Sequence, residues 1–487
     1  MCHRLLSQYV MINGLMYFSN FVMSSRYPSK IITSVGRGVV GGWRGRGLAA
    51  GVTAASTPKT CVTTLPSGMR VATENTNMPT ATIGVFIDAG SRYETAKNNG
   101  TAHFLEHMAF KGTARRSRAD LELEVENMGA HLNAYTSREQ TVYYAKCFAG
   151  DIERSTDILS DILLHSQLNS SDVSAERSVI LREAEEVAQN LQEVVFDELH
   201  LSAFAGTPLA YTILGPDQNI KTISRKDLSE YIKTHYKAHR MVIAASGGVD
   251  HSRVVELASK YFGQLPSGSG EEYLITGKYT PCEKRLMVKE MDRVSGAICV
   301  EGVSWSHEDN LVMMVANTIL GEWDRSRSIG LAQPSPLMMR SATIDGALQY
   351  LAFNTCYKDT GLLGVYFQAE ERAVRPMIDA IVESWRWLAY GVDEETVGRG
   401  KRSLLTNLML MLDGSTPVCE DIGRQLLCYG RRIPTDELKA RVEAITAEHV
   451  RAVCHERLLK CRLATTIVGR VSSAPTNAEI EHALQAP

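Results

Sequence analysis

The chain has 487 residues, 44% hydrophobic and 22% charged, with a net charge of −3, which allows roughly two to four domains with sizeable cores. That ordinary composition excludes a disordered or fibrous class, and the slightly acidic balance speaks against nucleic acid as the main partner. The 10 cysteines are scattered without a C-x-x-C pair, which fits free thiols in a reducing compartment better than a disulfide framework.

No Asp or Glu precedes Glu74, whereas Arg4, Arg26, Lys30, Arg37, Arg44 and Arg46 do. An acid-free leader with Arg and Ser over residues 1–57 reads as a mitochondrial transit peptide, removed from the mature protein. A secretory signal competes, because 5–23 is fairly apolar, but Ser7, Gln8, Asn13, Ser19 and Asn20 interrupt it. The same interruptions leave it short of the about 20 apolar residues that a membrane span needs. Met23 is an alternative start, and Arg46 stands two residues before a potential cut that would leave Leu48 as the new N-terminus.

Beyond the leader, Pro66-Ser67-Gly68 between apolar runs predicts strand–turn–strand. A buried strand over 81–89 leads to a helix beginning near Thr101, which can serve as its N-cap. Ser117 and Gly129 bracket a second helix over 121–128. Strands at 132–136 and 142–148, a helix at 152–164 and one long acidic helix at about 172–200 follow. A Gly/Pro-bearing loop (206–216), helices at 224–237 and 252–262 and a strand at 241–245 close a unit over 58–265. A Gly/Ser-rich linker over 266–280 separates it from a second unit over 281–487.

That second unit repeats the order. Strands at 285–290 and 297–302, a helix at 307–320, strands at 347–355 and 362–368, helices at 372–390, 394–412, 418–429 and 435–456, and a strand at 462–468 are predicted. The segment Lys237–Ala244 resembles Leu459–Thr466. The reading is therefore an α+β protein of two similar domains, each a sheet with helices packed on it.

The most informative residues are His103-Phe104-Leu105-Glu106-His107, an H-x-x-E-H order. On a helix the two histidines lie four apart and Glu106 three from His103, so all three share one face. Two such imidazoles suit a zinc ion, and the carboxylate beside them suits a general base that takes a proton from water. An amphipathic helix that happens to carry two histidines has the same five residues, so a third ligand decides. Glu183 follows His107 by 183 − 107 = 76 positions, and Glu176 precedes it by 183 − 176 = 7, two helical turns away. In the second unit His307-Glu308 lies on the corresponding helix, but no second histidine follows.

The segments His103–Thr113, Glu176–His200 and Leu412–Tyr429 resemble the pitrilysin-type metallopeptidases, and within them the catalytic subunits of mitochondrial processing peptidases. The likeness extends over most of 58–470. It implies that His103, His107 and Glu183 hold Zn2+, that Glu106 is the catalytic base and that Glu176 supports the site from behind. It also implies a substrate class, the cationic presequences of imported preproteins, cut with an arginine two residues before the scissile bond. Glu193 and Asp197 match the family's arginine-recognition acids, and two carboxylates on one helix face suit a guanidinium fork. Phe104 and Phe110 match an apolar pocket for a bulky residue just after the cut, or else pack the core. Asn133 and Ala134 match an edge strand that pairs with extended substrate.

The resemblance implies a heterodimer with a related α subunit, in the mitochondrial matrix. The family's α subunits carry a glycine-rich loop, and 320–345 shows none comparable. Two other readings stay open. One is a core subunit of the respiratory ubiquinol–cytochrome c reductase complex, with or without processing activity. The other is a general oligopeptidase of the same family, against which the leader and the C-terminal likeness both weigh.

Overall fold

The computed structural model describes residues 59–268, 274–327 and 335–486. The leader, the Leu48 cut and parts of the 266–280 and 320–345 segments lie outside the described residues. The first half runs β1 (Cys61–Thr64), β2 (Arg70–Asn75), β3 (Thr80–Ile87), α1 (Thr101–Met108), α2 (Arg118–Asn127), β4 (His131–Thr136), β5 (Thr141–Phe148), α3 (Ile152–Leu164), α4 (Ser170–Val187), α5 (Leu191–Ala203), α6 (Asp217–Thr222), α7 (Arg225–His235), β6 (Met241–Gly247) and α8 (His251–Phe262). The second runs β7 (Glu283–Met287), β8 (Arg293–Glu301), α9 (Asn310–Leu320), β9 (Glu322–Asp324), α10 (Pro336–Thr343), β10 (Ala347–Cys356), β11 (Gly361–Glu370), α11 (Val374–Tyr390), α12 (Glu394–Met411), α13 (Ser415–Tyr429), α14 (Thr435–Glu443), α15 (Ala447–Cys454), β12 (Ala464–Gly469) and α16 (Asn477–Gln485).

Each half forms a six-stranded sheet, in the orders β1-β2-β6-β3-β5-β4 and β7-β12-β8-β11-β10-β9. Strands β2, β6, β3, β5 and β4 correspond in turn to β7, β12, β8, β11 and β10. In both sheets the first pair of that series is parallel, β2 with β6 and β7 with β12, and the rest are antiparallel. The two halves are therefore copies of one topology, each with one extra edge strand.

Continuous burial along β3 and β6 has a tertiary cause. One face of the first sheet packs on α1, α3, α7 and α8 through Ile83, Val85, Leu105, Leu159, Leu228 and Leu257. The other face is covered by α13 from the opposite half, whose Val418, Cys419, Ile422 and Leu426 pack on Phe86, Val142, Val242 and Ala244. The exchange is reciprocal. Helix α5 leaves the first half and lays Val195, Leu199 and Ala203 on Ala297, Cys299, Ala464 and Val468 of the second sheet. A helix between them needs its apolar stripe on one side only, and both oblige.

Several boundaries differ from the sequence reading. The long acidic helix is two helices, because Asn190 accepts a hydrogen bond from Gln192 N at 3.1 Å and starts α5 as its cap. The 435–456 helix is likewise divided, with Thr446 capping α15 in a reciprocal pair with His449. His307 and Glu308 lie before α9, which begins at Asn310, so they are not helical. The short elements α6, β9, α10 and α16 carry too little periodicity to be read from sequence. All nine cysteines among the described residues are free thiols, and no helix among them is long and apolar enough to cross a membrane.

Gly423 permits the close seat of α13, because a Cβ there would stand 2.3 Å from the Phe86 ring. Gly423→Leu is expected to cost about 2 kcal/mol or more by overpacking, read as an earlier denaturant midpoint. Gly398→Ala, in the same half with only the Arg402 guanidinium near its Cβ, is expected to leave the midpoint unchanged or raise it.

Candidate metal centre

Helix α1 is launched by an unusual start. Gly100 has φ 103°, a left-handed conformation that suits glycine, and a Cβ there would meet Leu214 O at 2.6 Å. Thr101 is the first helical residue and not the cap; its hydroxyl donates to Asn98 O at 2.5 Å. The orphan N–H groups are met instead by the buried Glu94 carboxylate, which accepts from Ala102 N at 2.7 Å and Gly100 N at 2.9 Å. Asn99 Nδ2 donates to the same carboxylate at 2.8 Å. Burial pushes the Glu94 carboxyl up to about 7 against those donors. A carboxylate at the positive end of a helix is also favoured by the peptide dipoles.

The helical period then sorts α1 into two faces. Phe104, Leu105 and Met108 turn into the first core, while His103 and His107 turn toward α4 and Glu106 stays outside that core. Helix α4 buries Val173, Glu176 and Ile180 along a stripe that continues to Glu183, so Glu176 and Glu183 face α1. Arg177 Nη2 donates to Ile223 O at 2.6 Å and ties α4 to the segment after α6.

Across this seam the side chains converge. One ligand atom from each of His103, His107 and Glu183 lies within 4.8 Å of the others, and among the described residues this is the only such group of three. His107 Nε2 stands 3.0 Å from Glu183 Oε2, and His103 Nε2 stands 3.6 Å from Glu183 Oε1. The two imidazole rings meet edge to face with centroids 4.7 Å apart. Glu176 Oε1 lies 2.9 Å from His107 Nδ1, and its other oxygen takes Lys111 Nζ at 2.6 Å. Glu106 is half-buried, and its carboxylate takes part in no side-chain hydrogen bond among the described residues.

This donor set fits a divalent ion with nitrogen and oxygen ligands. Glu183 Oε2 is buried and makes no well-directed hydrogen bond, despite its nearness to His107. The two groups point to a common space more than to each other. Burial works against a charged His107, but its hydrogen bond to Glu176 and the nearby Glu183 carboxylate outweigh that and raise the imidazole to about 9. Burial would raise the Glu183 and Glu176 carboxyls, yet contacts with the histidines, and with Lys111 for Glu176, hold both below the usual range. The site therefore demands positive charge.

The other residues singled out from sequence fall in three places. Asn133 and Ala134 lie on β4, the free edge of the first sheet, with Ala134 packed toward the core and Asn133 exposed. Asn133 Nδ2 donates to the Tyr144 hydroxyl at 3.2 Å. Phe104 is 1% exposed within the first core, so its ring holds α1 down and does not line an open pocket. Phe110 lies past the end of α1 and is half-buried against that core. Glu193 and Asp197 sit on α5 and not on the helix that carries Glu183, so the second sheet positions them. Asp197 is engaged by Arg138 Nη2 at 2.7 Å. Sequence reasoning missed Glu94, Lys111 and Arg138, which reach the site from loops and turns, where no periodicity announces a facing side chain.

Residues 70–217 match the family model described as insulinase (peptidase family M16), and residues 222–404 match the peptidase M16 inactive domain. The chain is 59% identical over 423 residues to the mitochondrial-processing peptidase subunit beta of Caenorhabditis elegans, covering 87% of this chain and 92% of that protein. It is 52% identical over 420 residues to the human protein of the same name, covering 86% of each. A solved chain from "Complex III2 from Candida albicans, Inz-5 bound" shares the fold, with a TM-score of 0.79 at 21% identity over 87% of this chain and 99% of that one. The resemblance and the α+β fold class read from the sequence both hold.

Glu94→Ala leaves the buried Gly100 and Ala102 N–H groups without an acceptor. It is expected to destabilise the first half by about 1–3 kcal/mol. The denaturant midpoint of the variant checks this.

Proposed function

The chain belongs to the insulinase-type peptidase family M16, and from that premise we propose that it removes presequences from proteins imported into mitochondria. It is a metallopeptidase, and the family implies a divalent metal; the ion in this reading is zinc. The chain acts in the mitochondrial matrix as the catalytic member of a heterodimer with a related α subunit. The observation that carries the reading is the convergence of His103, His107 and Glu183 from two helices, with Glu176 behind them.

In this reading His103, His107 and Glu183 hold the ion. When bound, zinc supplies Lewis-acid polarisation and makes water acidic enough to be deprotonated near neutral pH. Glu106, one residue from a ligand and free of other partners, takes the proton from the attacking water and returns it to the departing amine. Glu176 accepts from His107 Nδ1, which fixes the ring and presents Nε2 inward, while Lys111 holds Glu176 in turn. Substrate adds as a strand along the open edge of β4 beside Asn133 and Ala134, so backbone pairing binds chains of varied sequence.

Charge supplies the selection. Residues 172–198 carry eight carboxylates (Asp172, Glu176, Glu183, Glu185, Glu186, Glu193, Asp197 and Glu198) against Arg177 and Arg182. The net negative charge of this segment draws a cationic presequence toward α4 and α5. Glu193 and Asp197 receive the guanidinium of the arginine two residues before the cut.

Assembly into a ubiquinol–cytochrome c reductase complex is the second reading, and it is compatible with catalysis. A purely structural subunit has no need of a complete ligand set with a free carboxylate beside it, and this chain keeps both.

Glu106→Gln, assayed with the α subunit, is expected to keep one zinc per chain while presequence cleavage falls about 10²–10⁴-fold, because an amide cannot take the proton. His103→Ala and Glu183→Gln are expected to lose the metal itself. Zinc analysis beside a cleavage assay reads both, and near wild-type cleavage by Glu106→Gln would refute the assigned base.

A further inference from the structure

We propose that Arg138 is a positioning residue for the arginine subsite, holding one oxygen of Asp197 so that its other oxygen and the Glu193 carboxylate face an incoming guanidinium. This rests on the reading of Glu193 and Asp197 as that subsite.

Arg138 lies in the turn between β4 and β5, just past the edge strand β4. Its side chain is 10% exposed, and Nη2 meets Asp197 Oδ1 at 2.7 Å. The turn is fixed from behind. Arg138 O accepts from Arg92 N at 2.8 Å. The neighbouring Glu139 takes Arg92 Nη1 at 2.6 Å and the Lys358 backbone N–H at 3.0 Å. Arg92 also reaches Asp359 of the second half at 2.5 Å. The Arg138 guanidinium therefore enters the acid pair from an immobile base.

Two consequences follow from that geometry. The first is occupancy: Arg138 contacts only one Asp197 oxygen, and the Glu193 carboxylate takes part in no side-chain hydrogen bond among the described residues. An acceptor from each residue is left for a planar fork. The second is charge. Two carboxylates and one guanidinium leave a net −1, which one substrate arginine neutralises. Without Arg138 two half-buried carboxylates one helical turn apart would repel each other with no cation between them, and nothing would hold the Asp197 oxygen in place. Burial and Asp197 raise the Glu193 carboxyl while Arg138 pulls it down, in keeping with this.

A simple strut between the β4–β5 turn and α5 would use the same contact, and kinetics separate the two roles. Two presequence peptides, identical except for arginine or its uncharged isostere citrulline two residues before the cut, are cleaved with the α subunit present. Wild type is expected to favour arginine. Arg138→Gln is expected to raise KM for the arginine peptide about tenfold, with kcat within about twofold and the citrulline peptide unchanged. Arg138→Lys, which restores the charge, is expected to recover most of the loss.

An equal loss on both peptides, or none on the arginine peptide, overturns the proposal. If Arg138→Gln does not fold, Arg138→Gln with Asp197→Asn leaves neither charge unpaired. Its arginine preference is then expected to equal that of Asp197→Asn alone, and a further additive loss contradicts action through Asp197. The parent reading fails separately, if wild type does not distinguish the peptides or if Asp197→Asn leaves the preference intact.

Discussion

Two imidazoles and two carboxylates share a partly buried seam between α1 and α4, and such a cluster is tolerable only if its charges are matched. Lys111 balances Glu176 from one side. In the proposed reading a divalent ion balances the remainder, and the raised His107 and lowered Glu183 express the same demand through protons. Several elements of the first half keep that seam closed. Glu94 fixes where α1 begins, Phe104, Leu105 and Met108 fix its rotation, and Ile180 presses α4 against it.

The reciprocal placement of α5 and α13 extends this control across the molecule. The acids Glu193 and Asp197 follow Glu183 closely in sequence, yet they are anchored on the other half's sheet. The distance between the His103–His107–Glu183 group and these acids is thus set by packing between halves and not by the rigidity of one helix. Helix α13 returns the favour by covering the first sheet, whose outer edge strand β4 remains open. A second half without a ligand cluster among its described residues still has a defined task, because it carries the surface on which α5 rests.

How much of this was legible in the sequence depends on the range of each interaction. The spacing of His103 and His107, and of Glu176 and Glu183, was readable because i, i+4 and i, i+7 relations hold within single helices, and the duplication was readable because the order of elements repeats. Asn190 was overlooked as a stop because the residues before it are strong helix formers, so one capping side chain overrode the local propensity. Phe104 was ambiguous by type, since a ring beside a ligand can face either way; only the rotation of α1 on its sheet decides for the core. Glu94, Lys111 and Arg138 were invisible for another reason: each acts from a turn or loop on a residue brought near by the fold.

Zinc-edge X-ray absorption of the intact chain tests the central claim most directly. One zinc per chain, with only nitrogen and oxygen neighbours at about 2.0–2.2 Å and the outer-shell signature of two imidazoles, is the expected spectrum. Sulfur scattering near about 2.3 Å, or a metal whose spectrum is unchanged in Glu183→Gln, would contradict it.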